Sequence, residues 1–186
     1  AVPGAPLIDQ MLVLLGDGPV EVFADLQHTV GAGDAEDHVK LCLRGSNGVV
    51  ADIEHSLCAA FPRREWEVMG TMGGVMSRDE NRLAVRWLDP AALASLTADE
   101  GPAADRRYHN LEALPWREEV LAVHQDDELM ARQFYDRLYA TFTASAPLLV
   151  TPASVRRQIE IIEAARRQLT SPDGQVPRPQ ITGSRQ

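Results

Sequence analysis

Three ionisable residues stand within apolar stretches of the sequence, where acid–base chemistry is easiest to arrange. Asp9 lies in a mostly apolar segment near the start, and His28 and His55 share the apolar register of two alternating segments. A carboxylate in such a setting is expected to be at least half-buried and hydrogen-bonded, and burial raises a carboxyl pKa toward the range useful for proton transfer. These three are the candidate catalytic residues, with a purely structural role as the alternative for each. If both histidines face the closed side of one sheet, they flank one pocket.

Aromatic side chains form a second group of candidates. Tyr135 and Tyr139 are spaced by about one helical turn, and Trp66 lies in a segment that alternates like a strand. Together they can provide a wall on which a ligand stacks, although aromatic residues at helical and strand spacing are also typical of a hydrophobic core. Trp66, Tyr135 and Tyr139 are therefore the candidate substrate-binding residues.

Two further groups resemble sites but are better explained by structure. The acidic run His124-Gln-Asp-Asp-Glu128 has metal-ligand types, yet its place before a helical pattern favours a helix cap. Cys42 shares a strand face with His38, but Lys40 and Arg44 on that face indicate a solvated surface rather than a Cys–His nucleophile. No Cys/His spacing fits zinc, so the sequence predicts no metal site.

Hydrophobic periodicity predicts the elements that position the candidates. Residues 7–15 form a short helix, apolar around most of its circumference and expected to be buried on both sides. Period-two alternation over 20–27, 39–44 and 49–57 predicts three strands. Ser46-Asn47-Gly48 predicts a tight turn that joins the last two strands as a hairpin.

The second half of the chain adds short strands and two closing helices. Strands are predicted over 65–69, 74–77, 82–88 and within 108–123, followed by helices after Asp126 and Thr151. The last helix is expected to bury a stripe of Val155, Ile159, Ile162 and Ala165. A helix, a run of strands and two helices predict an α+β fold, an open and mainly antiparallel sheet with helices packed on one face. We expect one domain over 1–172 and an extended or flexible tail over 173–186.

Length and composition exclude several classes of protein. The chain has 186 residues, 45% of them hydrophobic, which is a globular composition of domain size. The net charge of −9 without a basic stripe argues against a nucleic-acid partner. The longest early apolar run, 11–15, is far too short to cross a membrane. Two cysteines in apolar runs indicate reduced thiols and a cytoplasmic location.

Four blocks of the sequence together resemble a known family. They are Gly4-Ala-Pro-Leu-Ile-Asp9 through Gly16, Val22-Phe-Ala-Asp25 with Glu36-Asp37, Val68-Met-Gly-Thr-Met-Gly73-Gly, and Leu148-Leu-Val-Thr-Pro through Ile159-Glu-Ile-Ile-Glu-Ala-Ala165. In this order they resemble the glucose–fructose oxidoreductase and inositol dehydrogenase (Gfo/Idh/MocA) family. The resemblance covers residues 4 to about 176 and concerns the later part of the family's second half. It implies an open-sheet α+β domain, dihydrodipicolinate-reductase-like, that lines a sugar-like or polyol-like site and contributes an oligomer interface.

The chain differs from the family at the positions of the family's catalytic residues and of its dinucleotide-binding turn. Aligning on Ile8-Asp9 places Val2 where the family has its catalytic aspartate and Pro6 where it has its catalytic histidine. Neither side chain can transfer a proton. The glycines of Gly70-x-x-Gly73-Gly74 do not have the spacing of a dinucleotide turn. We therefore expect no cofactor in this chain, with NAD(P) only on a separate nucleotide-binding half.

Three functions remain open at this point. The resemblance favours an oxidoreductase-like domain that lines a small-molecule site and self-associates, without NAD(P) hydride transfer by itself. The first alternative is a stand-alone, cofactor-independent cyclase, isomerase or lyase derived from this domain. The second is a non-catalytic oligomerisation module. In each case we expect a homo-oligomer formed through the open sheet face, because one sheet face lacks a helical cover.

Overall fold

The computed structural model describes residues 4–31, 36–61, 63–79, 81–93, 114–123 and 126–169. The elements within these ranges are α1 (Ala5–Leu15), β1 (Val20–Gln27), β2 (His38–Gly45), β3 (Val50–Ser56), β4 (Glu67–Met69), β5 (Gly73–Asp79), β6 (Arg82–Leu88), α2 (Pro90–Leu93), β7 (Trp116–Ala122), α3 (Asp127–Ala144) and α4 (Pro152–Leu169). None of the helices in the described part of the chain is long and apolar enough to cross a membrane.

The chain divides into two compact units, one of residues 1–60 with 134–186 and one of residues 61–133. The expectation of a single domain over 1–172 stays a prediction. The proposed tail, 173–186, lies outside the described residues.

The first unit contains a three-stranded antiparallel sheet in the order β1-β2-β3. Its register places Val22 opposite Leu43 and Leu41 opposite Ile53, so apolar residues of all three strands share one face. The predicted hairpin between β2 and β3 is confirmed, and Gly48 in its turn has a φ of 84°. This left-handed conformation is one that glycine adopts without steric cost.

Helices α1 and α4 pack on that apolar face and build the core. The buried hydrophobic residues of the cluster are Ile8, Leu12, Leu15, Leu26, Val39, Leu41, Leu43, Ala51, Ile53, Ile161 and Ala165. The predicted α+β fold with open antiparallel sheets is therefore confirmed, and in this unit both helices lie on one face of the sheet.

Both helices bury a narrower face than the sequence pattern predicts. Val13 is 81% exposed, so the expectation that α1 is buried on both sides is wrong. In α4 the fully buried positions are Ile161 and Ala165, whereas Val155 and Ile159 of the predicted stripe are exposed. One sheet can cover only one side of a helix. Polar residues of α4 contact the edge of β1, because the backbone groups of that edge need hydrogen-bond partners.

The second unit contains a four-stranded antiparallel sheet in the order β4-β5-β6-β7. β7 is an edge strand and directly follows Pro115. This placement agrees with the prediction from sequence, because proline has no N–H to donate to a neighbouring strand and is therefore found at sheet edges. One face of this sheet, here called the apolar sheet face, is formed by residues that the register brings side by side. They are Val68, Val75, Leu83, Val85, Trp87 and Leu121, and the charged residues Arg117 and Glu119 of β7 border them on the same face.

Helix α3 begins with a cap and exposes its apolar residues. The backbone N–H of Leu129 donates to Asp126 Oδ1 at 2.9 Å, which confirms the capping interpretation of the acidic run. His124 lies outside the described residues, and within them no cluster of His, Cys, Asp or Glu could hold a metal ion. No described residue of α3 is buried.

Candidate functional site

A polar cluster lies at the end of the first sheet where β1 and β3 terminate. At its centre is Asp37, which is 4% exposed and immediately precedes β2. Its carboxylate accepts the backbone N–H groups of Thr29, Val30 and Gly31 at 2.7, 2.8 and 2.5 Å. It also accepts the hydroxyl of Thr29 at 2.9 Å. The side chain therefore fixes the segment that leaves β1.

These donors keep Asp37 ionised. The N–H groups of Gly31 and Thr29 lower its pKa most and outweigh the opposing effect of burial, so the pKa lies well below its ordinary value of 3.8. A carboxylate whose oxygens already accept four hydrogen bonds has little capacity left to take a proton from a substrate. Asp37 is thus a positioning residue for the loop rather than a general base.

Cys58 extends the cluster to the end of β3. Its Sγ lies 3.0 Å from Thr29 Oγ1 and 3.1 Å from Ser56 Oγ. The single hydroxyl hydrogen of Thr29 points to Asp37, so the S–H of Cys58 is the donor in its contact with Thr29. These contacts make the cluster a hydrogen-bonded bridge between two strand ends. Cys58 is a free cysteine, as expected from the sequence.

The two candidate histidines lie close to this cluster, on opposite strands. His55 pairs with Val39, which in turn pairs with Leu26, and His28 follows β1 two residues after Leu26. The alternation of β1 places His28 on the same face as Leu26, the face that carries the core. Both histidines are half-buried. With β2 between them, they are separated by two strand spacings, ~9.6 Å, across the sheet and by two residues, ~6.6 Å, along it, and their catalytic role stays a prediction.

Asp9 does not join the histidines on the core face. It is exposed, so the expectation that it is at least half-buried is wrong. The sheet-facing side of α1 is formed by Ile8, Leu12 and Leu15, and Asp9 projects beyond this stripe. The sequence pattern misled because α1 has more apolar residues than its one buried face can hold. A role for Asp9 in chemistry stays a prediction.

The candidate stacking residues are divided between the two units. Trp66 belongs to the second unit and is half-buried, with its backbone N–H donating to Ser77 Oγ at 3.0 Å. Tyr135 and Tyr139 belong to the first unit and are 65% and 70% exposed. Both tyrosines are therefore accessible to a ligand or partner and are not part of the hydrophobic core.

The glycine cluster near residue 70 forms a hairpin turn and not a phosphate-binding loop. Gly70 N–H donates to Gly73 O at 2.7 Å, and the cluster forms the tight connection between antiparallel strands β4 and β5. A dinucleotide-binding turn instead leads from a strand into a helix whose N-terminus faces the pyrophosphate. The described residues of this turn therefore do not fit NAD(P). Pro6, at the family's histidine position, stands exposed in the first turn of α1.

Comparison with known proteins shows what the chain is similar to. The model of the GFO/IDH/MocA C-terminal domain family matches residues 4–76, which include α1, the first sheet and the start of the second. This match confirms the resemblance found in the sequence. A search among curated proteins finds no significant match.

Solved structures extend the likeness beyond the matched range. An oxidoreductase from Bacillus cereus is 17% identical, with a TM-score of 0.67 over 92% of this chain and 49% of that chain. An NAD-binding protein from Listeria innocua is 21% identical, with a TM-score of 0.63 over 88% and 48%. A UDP-N-acetylglucosamine 3-dehydrogenase from Acidithiobacillus ferrooxidans is 20% identical, with a TM-score of 0.58 over 87% and 45%. The chain spans about half the length of these structures, and the likeness establishes the fold.

Proposed function

We propose that the chain serves as the substrate-lining and assembly domain of a cytoplasmic oxidoreductase of the GFO/IDH/MocA type. The NAD(P) chemistry is supplied by a nucleotide-binding half, since neither Val2 nor Pro6 can transfer a proton and the glycine turn does not fit a dinucleotide. The dehydrogenase among the similar structures acts on a nucleotide sugar, which supports a sugar-like or polyol-like substrate. The free thiols of Cys42 and Cys58 support the cytoplasmic location.

The observation that carries the assembly role is the apolar sheet face of the second unit. Val68 and Leu121 on this face are 40% and 43% exposed, and the four residues between them in the register are half-buried. Arg117 and Glu119 of β7 rim the face, and an apolar patch with a polar rim is typical of an interaction site in soluble proteins. We propose that a second copy of the chain covers it and produces the homo-oligomer.

Sedimentation of two variants of β7 tests this assembly. Leu121→Lys puts a charge on the apolar sheet face, and Val120→Lys puts the same charge on the opposite face at a residue that is 50% exposed. We expect the unmodified protein to associate at micromolar concentration and Leu121→Lys to raise the dissociation constant at least about tenfold. Val120→Lys should leave association unchanged. A monomeric unmodified protein contradicts the proposal.

The dependence on a nucleotide-binding half has its own test. The intact mass and the co-purifying chains are measured for the gene product isolated from its native cell. A mass well above 20.4 kDa, or a second chain that binds NAD(P), supports the proposal. A product near 20.4 kDa that carries no second chain contradicts it and favours a cofactor-independent or non-catalytic domain.

A further inference from the structure

A cavity of about 830 Å³ lies in the first unit, between the open edge of β1 and helix α4. It includes the turn of Asp17 and Gly18 before β1 on one side and the first four turns of α4 on the other. None of Asp9, His28, His55, Tyr135 or Tyr139 lines it. The cavity is therefore separate from the candidate residues discussed above, and its size suits a small metabolite.

Three arginines converge on this cavity, in a chain whose net charge is −9. Arg157 has a 21% exposed side chain, and its Nη2 donates to the carbonyl oxygen of Gly18 at 2.7 Å, which fixes the guanidinium at the wall. The Nη1 atom of Arg167 lies 3.8 Å from Oε2 of Glu163, which is one helical turn earlier in α4. Arg156 makes no hydrogen bond or ion pair with any described residue and is exposed. Of the three guanidinium groups at the cavity, that of Arg156 is therefore the one available to bind a ligand.

The other charged groups at the cavity leave one of the three arginines without an ion pair. Asp17 and Glu160 also line it, and Glu163, outside the lining, stands beside Arg167. The side chain of Asp17 is fully exposed and stands 3.9 Å from Arg157. The cation of the lining that has no ion pair with a described residue is Arg156, and an unpaired guanidinium in an acidic protein attracts an anion locally.

The floor of the cavity is apolar and adjoins the edge of β1 that no described strand covers. Val20, Val22, Ile161 and Ala164 provide the apolar lining. The carbonyl oxygen of Val22 points outward from this edge to Gln168, so the N–H of Val22 points outward as well. A ligand on this floor therefore meets apolar side chains, a backbone donor and a guanidinium within one site.

We propose that this cavity binds a small ligand with one phosphate or carboxylate group and an apolar body. The oxyanion pairs with the guanidinium of Arg156, which presents two parallel N–H donors, and the apolar body covers the valine floor. This site lies beyond the proposed oxidoreductase role and does not depend on it. An effector or a second substrate of this chemistry is its occupant.

Amide chemical shifts of the ¹⁵N-labelled chain test the site directly. Phenyl phosphate and phenylacetate are the two anionic probes, and benzyl alcohol is the probe without charge. Arg156→Gln removes the proposed anchor, whereas Arg166→Gln removes the same charge from an exposed residue of α4 outside the cavity. Thermal unfolding of both variants confirms that each remains folded.

We expect saturable shifts at Gly18, Val20 and Val22 with an anionic probe and none with benzyl alcohol. The relative affinity of the two anions identifies the oxyanion. Arg156→Gln should weaken binding about tenfold, as expected for one charge-assisted pair, and Arg166→Gln less than twofold. Absence of saturation with both anions, or an equal loss in the two variants, overturns the proposal, because the attraction is then unspecific.

Discussion

Gln168 of α4 pairs its side-chain amide with the backbone of β1 as a neighbouring strand would. Its Nε2 donates to the carbonyl oxygen of Val22 at 2.7 Å, and the N–H of Ala24 donates to its Oε1 at 2.9 Å. β1 is the edge of its sheet, and an uncovered edge exposes peptide groups that otherwise pair with another chain. One glutamine thus closes this part of the edge and ties the end of α4 to the first strand.

Replacing Gln168 by Leu should lower the free energy of unfolding by about 2 kcal/mol. The substitution leaves a half-buried N–H and a half-buried carbonyl without partners, and each such group costs more than its hydrogen bond contributed. Urea denaturation followed by circular dichroism measures the loss. Gln133→Leu on the exposed face of α3 is the control and should stay within about 0.5 kcal/mol. Equal losses in the two variants would show that the edge contact is not the cause.

Asp37→Asn should destabilise the first unit at neutral pH and much less in acid. The folded protein holds the pKa of Asp37 below its ordinary value of 3.8, chiefly through the N–H groups of Gly31 and Thr29. A lowered pKa contributes stability that is complete above the unfolded value and is lost as the pH falls below it. The difference between Asp37→Asn and the unmodified protein should therefore be constant from pH 7 to about 5. It should shrink below 3.8.

The measurement for Asp37 is the denaturation midpoint over this pH range. Asp9→Asn is the matched control, since it makes the same change at an exposed carboxylate of the same unit. Its effect should stay within about 0.5 kcal/mol at neutral pH. A pH-independent penalty for Asp37→Asn would mean that lost packing, not the charge, accounts for its effect.

The strands of the first sheet could be predicted from sequence because their signals are local. Alternation fixes which residues of β2 and β3 face the core, and Asn47-Gly48 fixes the turn and so the register. The buried face of α4 could not be predicted in this way. Gln168 lies against β1 because a sheet edge needs hydrogen-bond partners, and that demand appears only when the two elements are brought together.

The candidate site was harder to predict for the same reason. The sequence shows an aspartate after a glycine-containing loop, but not that Thr29 and Gly31, more than five residues earlier, direct their N–H groups at it. A threonine at a strand end followed by an aspartate before the next strand is the signal that could have found Asp37. The exposure of Asp9 could not be predicted from sequence, because apolar neighbours in a helix do not show which side faces the sheet.

Lys40 offers a test of charge pairing across β2 and β3. Its Nζ lies 3.0 Å from Asp52 Oδ1 and 3.2 Å from Glu54 Oε2, on the open face of the sheet. Lys40→Gln should cost at most about 1 kcal/mol, because the lysine and Asp52 are partly solvated, and the cost should fall as salt is added. Arg44, on the same strand and face, lies between Glu21 of β1 and Val50 of β3 and makes no ion pair with a described residue, so Arg44→Gln should cost less.

The pH dependence of Lys40 has the opposite sign to that of Asp37. Hydrogen bonds to Asp52 and then Glu54 raise its pKa above the ordinary value of 10.5. A raised pKa contributes stability that is fully present below the unfolded value and is lost as the pH rises through the folded value. The difference between Lys40→Gln and the unmodified protein should therefore persist to pH 10.5 and decline above it. A difference that disappears already at neutral pH would contradict the pairing.

Gly48 gives the clearest test of the hairpin turn. Its φ is 84°, and a Cβ built at this position meets no atom within 4 Å, so a substitution changes the backbone energy alone. Gly48→Ala should lower the free energy of unfolding by about 1 kcal/mol, since a residue with a Cβ is strained at positive φ. Gly48→Asn is the matched variant and should cost less, because asparagine adopts this conformation more readily. Denaturation midpoints in the order Gly, Asn, Ala are expected; equal midpoints for Asn and Ala would show that the turn relaxes to a different conformation.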